Sequence, residues 1–248
     1  MFRLDNISKR YQGVPALDRL SLEIPKGRTT VLIGPSGCGK STLLRILVGL
    51  VWPDAGTISF DKHPVNAGSV NRIRRQLGYV IQQGGLFPHM TARRNVCLMA
   101  GQDRWPRERI ENRLSELVTL TRFPADALDR YPTELSGGQN QRVALMRALM
   151  LDPEVLLLDE PLGALDPMIR FELQEDLQRV FSTLRKTVVL VTHDLAEAAF
   201  LGDSIVLMRA GRIVQQGTLQ DLLQHPAEEF VERFVRAQRS HVETGLSA

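Results

Sequence analysis

Residues 34–41 read Gly-Pro-Ser-Gly-Cys-Gly-Lys-Ser, which fills every position of the phosphate-loop pattern G-x-x-x-x-G-K-[ST]. Each residue type there has a chemical reason. Gly34, Gly37 and Gly39 let the backbone close around phosphate oxygens, with N–H groups and a helix N-terminus facing the anion. Lys40 brings a point charge to the β/γ-phosphates, and Ser41 offers a hydroxyl to Mg²⁺. The loop points to a nucleoside triphosphate, not to one reaction. Cys38 reads as a small side chain tolerated inside the loop, with a redox role as the alternative. Residues 155–160, Val-Leu-Leu-Leu-Asp-Glu, are an apolar strand that ends in two carboxylates. Asp159 can hold Mg²⁺ directly or through water, and Glu160 can orient and polarise an attacking water. Asp-Glu-Pro could also simply end a strand; the phosphate loop upstream favours the chemical reading. Residues 135–139, Leu-Ser-Gly-Gly-Gln, precede a helical stretch. Ser136 is a natural N-cap, and the glycines expose donors at the positive helix end. The segment reads as a second anion site, or more plainly as a capped helix.

These residues need elements to hold them. Residues 28–33 are a compact β-branched run ending at Gly34, and residues 40–51 have helical spacing, so strand, turn and helix follow in order. Residues 2–32 read as strands, with further short strands at 56–60 and 78–82. From residue 84 to 141 charge dominates and the apolar spacing is helical (Ile110, Leu114, Leu117, Val118), as in a helical insertion. A helix over 139–151, strands at 155–158 and 187–191, and a helical stretch over 168–185 give a βαβ pattern and imply a parallel sheet. Residues 204–217 read as a closing hairpin, and 218–248 as a short amphipathic tail with a mobile end.

The 248 residues allow one large domain or a domain with a subdomain. With 43% hydrophobic and 24% charged residues, neither a disordered chain nor a disulfide scaffold fits. The longest clean apolar run, 46–52, is far short of the about 20 residues of a membrane span. The N-terminus shows no signal-peptide pattern, and Cys38 and Cys97 make no framework or metal cluster, which favours a reducing, cytoplasmic setting. A net charge of +3 reads as a solvated mixed surface, with nearness to anionic lipid or nucleotide as the alternative, and the basic cluster Arg72, Arg74 and Arg75 as solvated surface near a membrane; no nucleic-acid partner is expected.

The ordered set GPSGCGKS (34–41), Gln82, LSGGQ (135–139), VLLLDEP (155–161), ALD (164–166) and His193 resembles the ATP-binding subunit of an ATP-binding-cassette (ABC) transporter over residues 2–220. The resemblance implies an α/β fold, a P-loop NTPase (RecA-like) core with an antiparallel β subdomain and a helical subdomain insertion. The core would comprise 1–83 and 142–217, the insertion 84–141 with the LSGGQ signature, and the helical tail 218–248. ATP would be held by Gly34, Pro35, Ser36, Gly37, Cys38, Gly39, Lys40, Ser41 and Thr42, with Tyr11 stacked on adenine, a contact that tolerates any purine face. Mg²⁺ would take Ser41, Gln82 and Asp159. Gln82 matches the loop glutamine joining the metal site to the insertion, and His193 the switch histidine that contacts the γ-phosphate and Glu160. Ser136, Gly137, Gly138 and Gln139 would grip the ATP of a second copy paired head to tail, and Asp166 would cross that interface. Residues 82–90, with apolar Leu86, Phe87 and Pro88, would form part of a groove for a membrane-subunit helix, packing within the insertion being the alternative.

Within the family, GYVIQQGGLFPHMT (78–91) and the tail from 214 look most like quaternary-amine importers of glycine betaine, choline or carnitine. Asn140 and Met146 depart from the usual residues of the signature helix. Some betaine-type subunits carry paired small domains after the cassette; the sequence stops at Ala248, so ionic-strength sensing through them is not expected. The large β-rich tail of sugar importers is not seen either. The implied partners are transmembrane permease subunits, an extracytoplasmic solute-binding protein and the second ATPase copy, at the inner face of the cell membrane. Alternatives are an importer of another small solute such as an amino acid, a lipid or lipoprotein exporter, or a non-transport ABC ATPase. The last is disfavoured by a single cassette with only 94 residues between Lys40 and Leu135.

Overall fold

A computed structural model describes residues 1–82, 84–163 and 165–244. Gln83 of the 78–91 string, Ala164 of the ALD string and tail residues 245–248 lie outside the described residues. The chain runs β1 (Phe2–Tyr11), β2 (Val14–Ile24), β3 (Thr29–Ile33), α1 (Lys40–Leu47), β4 (Ala55–Phe60), β5 (His63–Pro64), α2 (Val70–Arg74), β6 (Leu77–Val80), α3 (Ala92–Gln102), α4 (Arg107–Leu120) and α5 (Gly137–Leu149). It continues with β7 (Val155–Asp159), α6 (Pro167–Leu184), β8 (Thr187–Val191), α7 (Leu195–Leu201), β9 (Ser204–Arg209), β10 (Arg212–Gly217), α8 (Leu219–Gln224) and α9 (Glu229–Thr244). It divides into two compact units, residues 1–70 with 189–248, and residues 71–188.

The first unit holds an antiparallel sheet in the order β2-β1-β4-β5. Its first hairpin turns on Gln12 and Gly13, both at positive φ (49° and 84°), between the paired Tyr11 and Val14. That is the two-residue geometry whose twist matches the flanking strands. Along β1 Phe2 and Leu4 alternate into the core, Ile7 is buried after a register shift at Asn6 (φ 51°), and Phe2 packs on Phe60 of β4 with ring centroids 4.8 Å apart. In the same unit β3 pairs in parallel with β9 (Thr30 with Ser204 through Ile33 with Leu207), and β9 pairs antiparallel with β10. All five residues of β3 are buried, as a central parallel strand requires.

In the second unit β6 and β7 pair in parallel, Leu77 with Val155 through Val80 with Leu158. Gly78 lets the strand lie close to α5: a Cβ there would sit 2.5 Å from the Ala148 carbonyl oxygen. β6 ends at Val80, two residues sooner than the apolar pattern predicts. The Gly84 N–H donates to the Ile81 carbonyl at 2.9 Å, closing a turn that carries Gln82 off the strand. Three helices of this unit start on side-chain caps: Thr91 for α3, Ser136 for α5 and Asp166, followed by Pro167 at the first helical position, for α6; α4 starts after Pro106 with no side-chain cap. Leu114 and Leu117 of α4 and Val143, Ala144, Met146 and Leu149 of α5 form the buried apolar faces of this helical region.

Candidate functional site

In the first unit the phosphate loop joins the buried β3 to α1. Gly34, Gly37 and Gly39 have φ of 146°, 76° and 109°, conformations that L side chains rarely adopt. A Cβ on Gly34 would lie 2.2 Å from the Met208 carbonyl oxygen, and one on Gly39 2.5 Å from the Ala16 carbonyl oxygen. At Gly37 no atom of the described residues lies within 4 Å of that position. The loop is thus clamped from two sides by β9 and β2 and open at its middle glycine. The Gly211 N–H adds a tether to the Cys38 carbonyl at 3.0 Å.

Lys40 is 6% exposed. Its ammonium donates to the Gly34 carbonyl at 2.7 Å and the Pro35 carbonyl at 3.1 Å, with the Cys38 Sγ at 3.7 Å. A buried cation held by two neutral carbonyls and a thiol, inside a loop whose open glycine exposes backbone, suits a polyanionic ligand. Burial raises the Cys38 pKa, with Lys40 acting against the rise, which keeps a negative thiolate out of this anion cradle. No group of three or more acidic, His or Cys side chains able to hold a metal occurs among the described residues. A Mg²⁺ held chiefly by substrate phosphates and a few protein oxygens agrees with that donor set.

His193 lies in the same unit. The Thr192 N–H donates to the Leu32 carbonyl at 3.2 Å, placing the Thr192–His193 step beside the end of β3, which feeds the loop. Asp194 then caps α7 by accepting from the Ala196 and Glu197 N–H groups at 2.7 and 3.2 Å. Tyr11 ends β1, 43% exposed, with the Lys9 ammonium 5.7 Å from its ring centroid.

In the second unit Asp159 closes β7, 4% exposed. Glu160 follows at φ 46°, a left-handed conformation that swings it off the strand direction. Gln82 Nε2 donates to Glu160 Oε2 at 3.1 Å. Two residues 78 apart in sequence, each singled out for a different reason, therefore touch. Ser136 forms a reciprocal capping box: its Oγ accepts from the Gln139 N–H at 3.2 Å, and Gln139 Oε1 accepts from the Ser136 N–H at 2.9 Å. Asp166 Oδ1 accepts from the Ile169 N–H at 3.0 Å. The capped-helix reading of LSGGQ thus describes local geometry without excluding an anion role, because the first-turn N–H groups remain at the positive helix end.

Three positions that the sequence did not single out organise the second unit. Asn95, fully buried, accepts from the Phe87 N–H at 2.8 Å and donates to the Phe87, Met90 and Thr91 carbonyls at 3.0–3.1 Å. It pins the segment after Gln82 onto α3. Arg147 of α5 donates to the Gly84 and Gly85 carbonyls at 2.8 and 2.9 Å; burial lowers its pKa below the ordinary guanidinium value. Asp176 of α6, 2% exposed, receives Arg142 of α5 at 2.8 and 3.1 Å. The only sequence signal was a polar residue in a helical stretch with at least one apolar neighbour. Of the loop residues put forward for the groove, Phe87 is 41% exposed and stands edge-on to His89 at 6.0 Å.

The family model described as "ABC transporter" matches residues 17–163. The chain is 46% identical over 240 residues to the choline transport ATP-binding protein OpuBA of Bacillus subtilis, covering 96% of this chain and 63% of OpuBA. It is 43% identical over 234 residues to the glycine betaine uptake system ATP-binding protein YehX of Escherichia coli, covering 94% of this chain and 76% of YehX. Among solved structures, the dimeric, post-hydrolysis state of the ATP-binding cassette MJ0796 bound to ADP and Pi matches with a TM-score of 0.80 and 33% identity, covering 88% of this chain and 99% of that one. The chain spans 60–63% of the length of several curated relatives, among them the choline and carnitine proteins.

Proposed function

Because the chain belongs to the ABC transporter family, with the α/β P-loop NTPase fold of its cassettes, we propose that it binds and hydrolyses ATP to energise transport of a small solute. The observation that carries this is the phosphate loop, in which three positive-φ glycines surround the buried Lys40 ammonium. Lys40 exchanges its carbonyl partners for β/γ-phosphate oxygens, and the N–H groups at the start of α1 face the same anion. Mg²⁺ supplies charge neutralisation of the phosphates; Ser41, Asp159 and Gln82 are the residues that would hold it. Glu160 orients and deprotonates the attacking water, and Gln82, already bonded to Glu160, senses whether that carboxylate is engaged. His193 steadies the γ-phosphate, and Tyr11 stacks on the base.

Two copies pair head to tail, so that Ser136, Gly137, Gly138 and Gln139 of one meet the ATP on the other's phosphate loop. Asp166 lies at the junction, with Met168 (74% exposed) and Phe171 (58%) just beyond it. ATP joins the copies and its cleavage releases them. The helical segment 84–141 acts as the signature-bearing subdomain, 1–83 with 142–217 as the core and 218–248 as a tail. No helix among the described residues is long and apolar enough to cross a membrane. We assign the route for the solute to separate permease subunits, with the chain peripheral on the inner face and a solute-binding protein on the outer side. The solute is a quaternary-amine osmoprotectant, a reading supported by the names of OpuBA and YehX.

The test reconstitutes the chain with the permease and binding protein that co-purify with it in the native complex and measures Mg²⁺–ATP-dependent uptake of choline, glycine betaine, carnitine, an amino acid and sulfate. Uptake of a quaternary amine, abolished by Glu160→Gln, is expected. Uptake of only the amino acid or sulfate would reject the solute and leave the ATPase assignment standing.

A further inference from the structure

Asp176 is the most deeply buried carboxylate among the described residues of the second unit, 2% exposed against 4% for Asp159, and it has no place in the chemistry above. Its Oδ2 accepts from Arg142 Nη2 at 2.8 Å and Nε at 3.1 Å, a two-pronged pair. Its Oδ1 faces Arg179 at 3.3 Å and Arg122 at 3.9 Å. Arg142 is itself largely buried, with a 15% exposed side chain, and Glu172 lies 3.9 Å away at its edge. A buried ion pair is a poor device for stability, since matched apolar side chains would do as well or better. It is a good device for fixing one geometry, because a slip or rotation leaves charge unpaired.

The geometry fixed here is that of α5 against α6. Arg142 lies about 9 Å along α5 from Ser136, and Asp176 about 15 Å along α6 from Asp166, at 1.5 Å per residue. Nearer their N-termini the same helices meet at a second point. A Cβ on Gly138 would fall 2.6 Å from Ile169 Cγ2, and one on Gly137 3.0 Å from Leu165 Cδ2. Close contact at one end and a two-pronged ion pair further along set both the separation and the rotation of the two helices. From this we infer that Asp176, acting through Arg142, is a positioning residue that presents Ser136–Gln139 and Asp166 to the partner copy as one unit.

The inference rests on the head-to-tail ATP sandwich proposed above, in which both loops serve the other copy's ATP while Lys40 serves its own. It follows that loss of the pair weakens ATP-driven pairing and leaves nucleotide binding by a single copy untouched. A general loss of structure would impair both.

The test uses the Glu160→Gln chain as parent and adds either Asp176→Asn or the double change Arg142→Met with Asp176→Leu, which removes the charges and keeps the packing. Self-association is measured at saturating Mg²⁺–ATP, and binding of a fluorescent ATP analogue by dilute monomer. The expected result is self-association weakened about tenfold or more, with analogue affinity and melting temperature of the double variant close to those of the parent. Pairing at parental strength in a folded variant would overturn the inference, as would equal loss of pairing and of analogue binding. If Asp176→Asn does not fold, the double variant decides. A parent that fails to pair at all would instead reject the sandwich, and this inference with it.

Discussion

Lys40 holds its charge against two loop carbonyls and a thiol sulfur, neutral groups that a phosphate would replace. Lys40→Ala removes a charge-assisted contact of about 1.5–3 kcal/mol, so nucleotide affinity should fall about ten- to a hundredfold and turnover should be lost. Isothermal titration with Mg²⁺–ATP and a phosphate-release assay check both. Cys97 gives a pH prediction. Burial, followed by the Glu111 charge, pushes its thiol up to about 11, so the reactive thiolate is scarce at neutral pH and grows as pH rises. Alkylation by iodoacetamide should be at least about tenfold slower at pH 8 than for an unperturbed cysteine and should accelerate steadily to pH 10; a plateau by pH 9 would contradict the assignment. At this scale the sequence was legible where chemistry is written contiguously, as in 34–41, 135–139 and 155–160. Asn95, Arg142, Arg147 and Asp176 were not legible, because their partners are chosen by packing between segments distant in the chain.

Helix α5 connects most of the second unit's functional parts. Ser136 caps its N-terminus, its middle holds Asp176 through Arg142, and its last turn holds the Gly84 and Gly85 carbonyls through Arg147. Gly138→Ala would force a methyl to within 2.6 Å of Ile169 Cγ2, an overpacking that should cost about 1–3 kcal/mol in chemical denaturation, whereas the same change at the open Gly101 has no such clash. Arg147→Lys retains the charge but not the two-pronged grip, so it should lower transport-coupled ATPase in the reconstituted complex more than it lowers nucleotide affinity. Equal loss of both would point to general disruption instead. Most elements were readable from period and caps, including the strand–turn–helix of the phosphate loop, α6 and the β9–β10 hairpin. The end of β6 was misjudged by two residues, because Ile81 continues the apolar pattern while the turn that removes it depends on the glycines at 84 and 85.

At the scale of the whole molecule, the proposed function makes ATP the ligand that would join two copies, each copy contributing its phosphate loop to one site and its LSGGQ segment to the other. In that proposal Glu160 would stand at the step that ends the association, its carboxylate activating the water that cleaves the joining ligand. Replacing it by glutamine keeps size and hydrogen bonding, including an amide able to meet Gln82, but removes the base, which should cost about 10²–10⁴ in turnover. The most direct measurement is therefore the molar mass of purified Glu160→Gln by light scattering, with and without Mg²⁺–ATP. The account predicts a single-chain mass without nucleotide, twice that mass with Mg²⁺–ATP, and return to the single-chain mass when Lys40→Ala is added to the same chain. A Glu160→Gln protein that binds ATP yet keeps its single-chain mass at saturating nucleotide would contradict it.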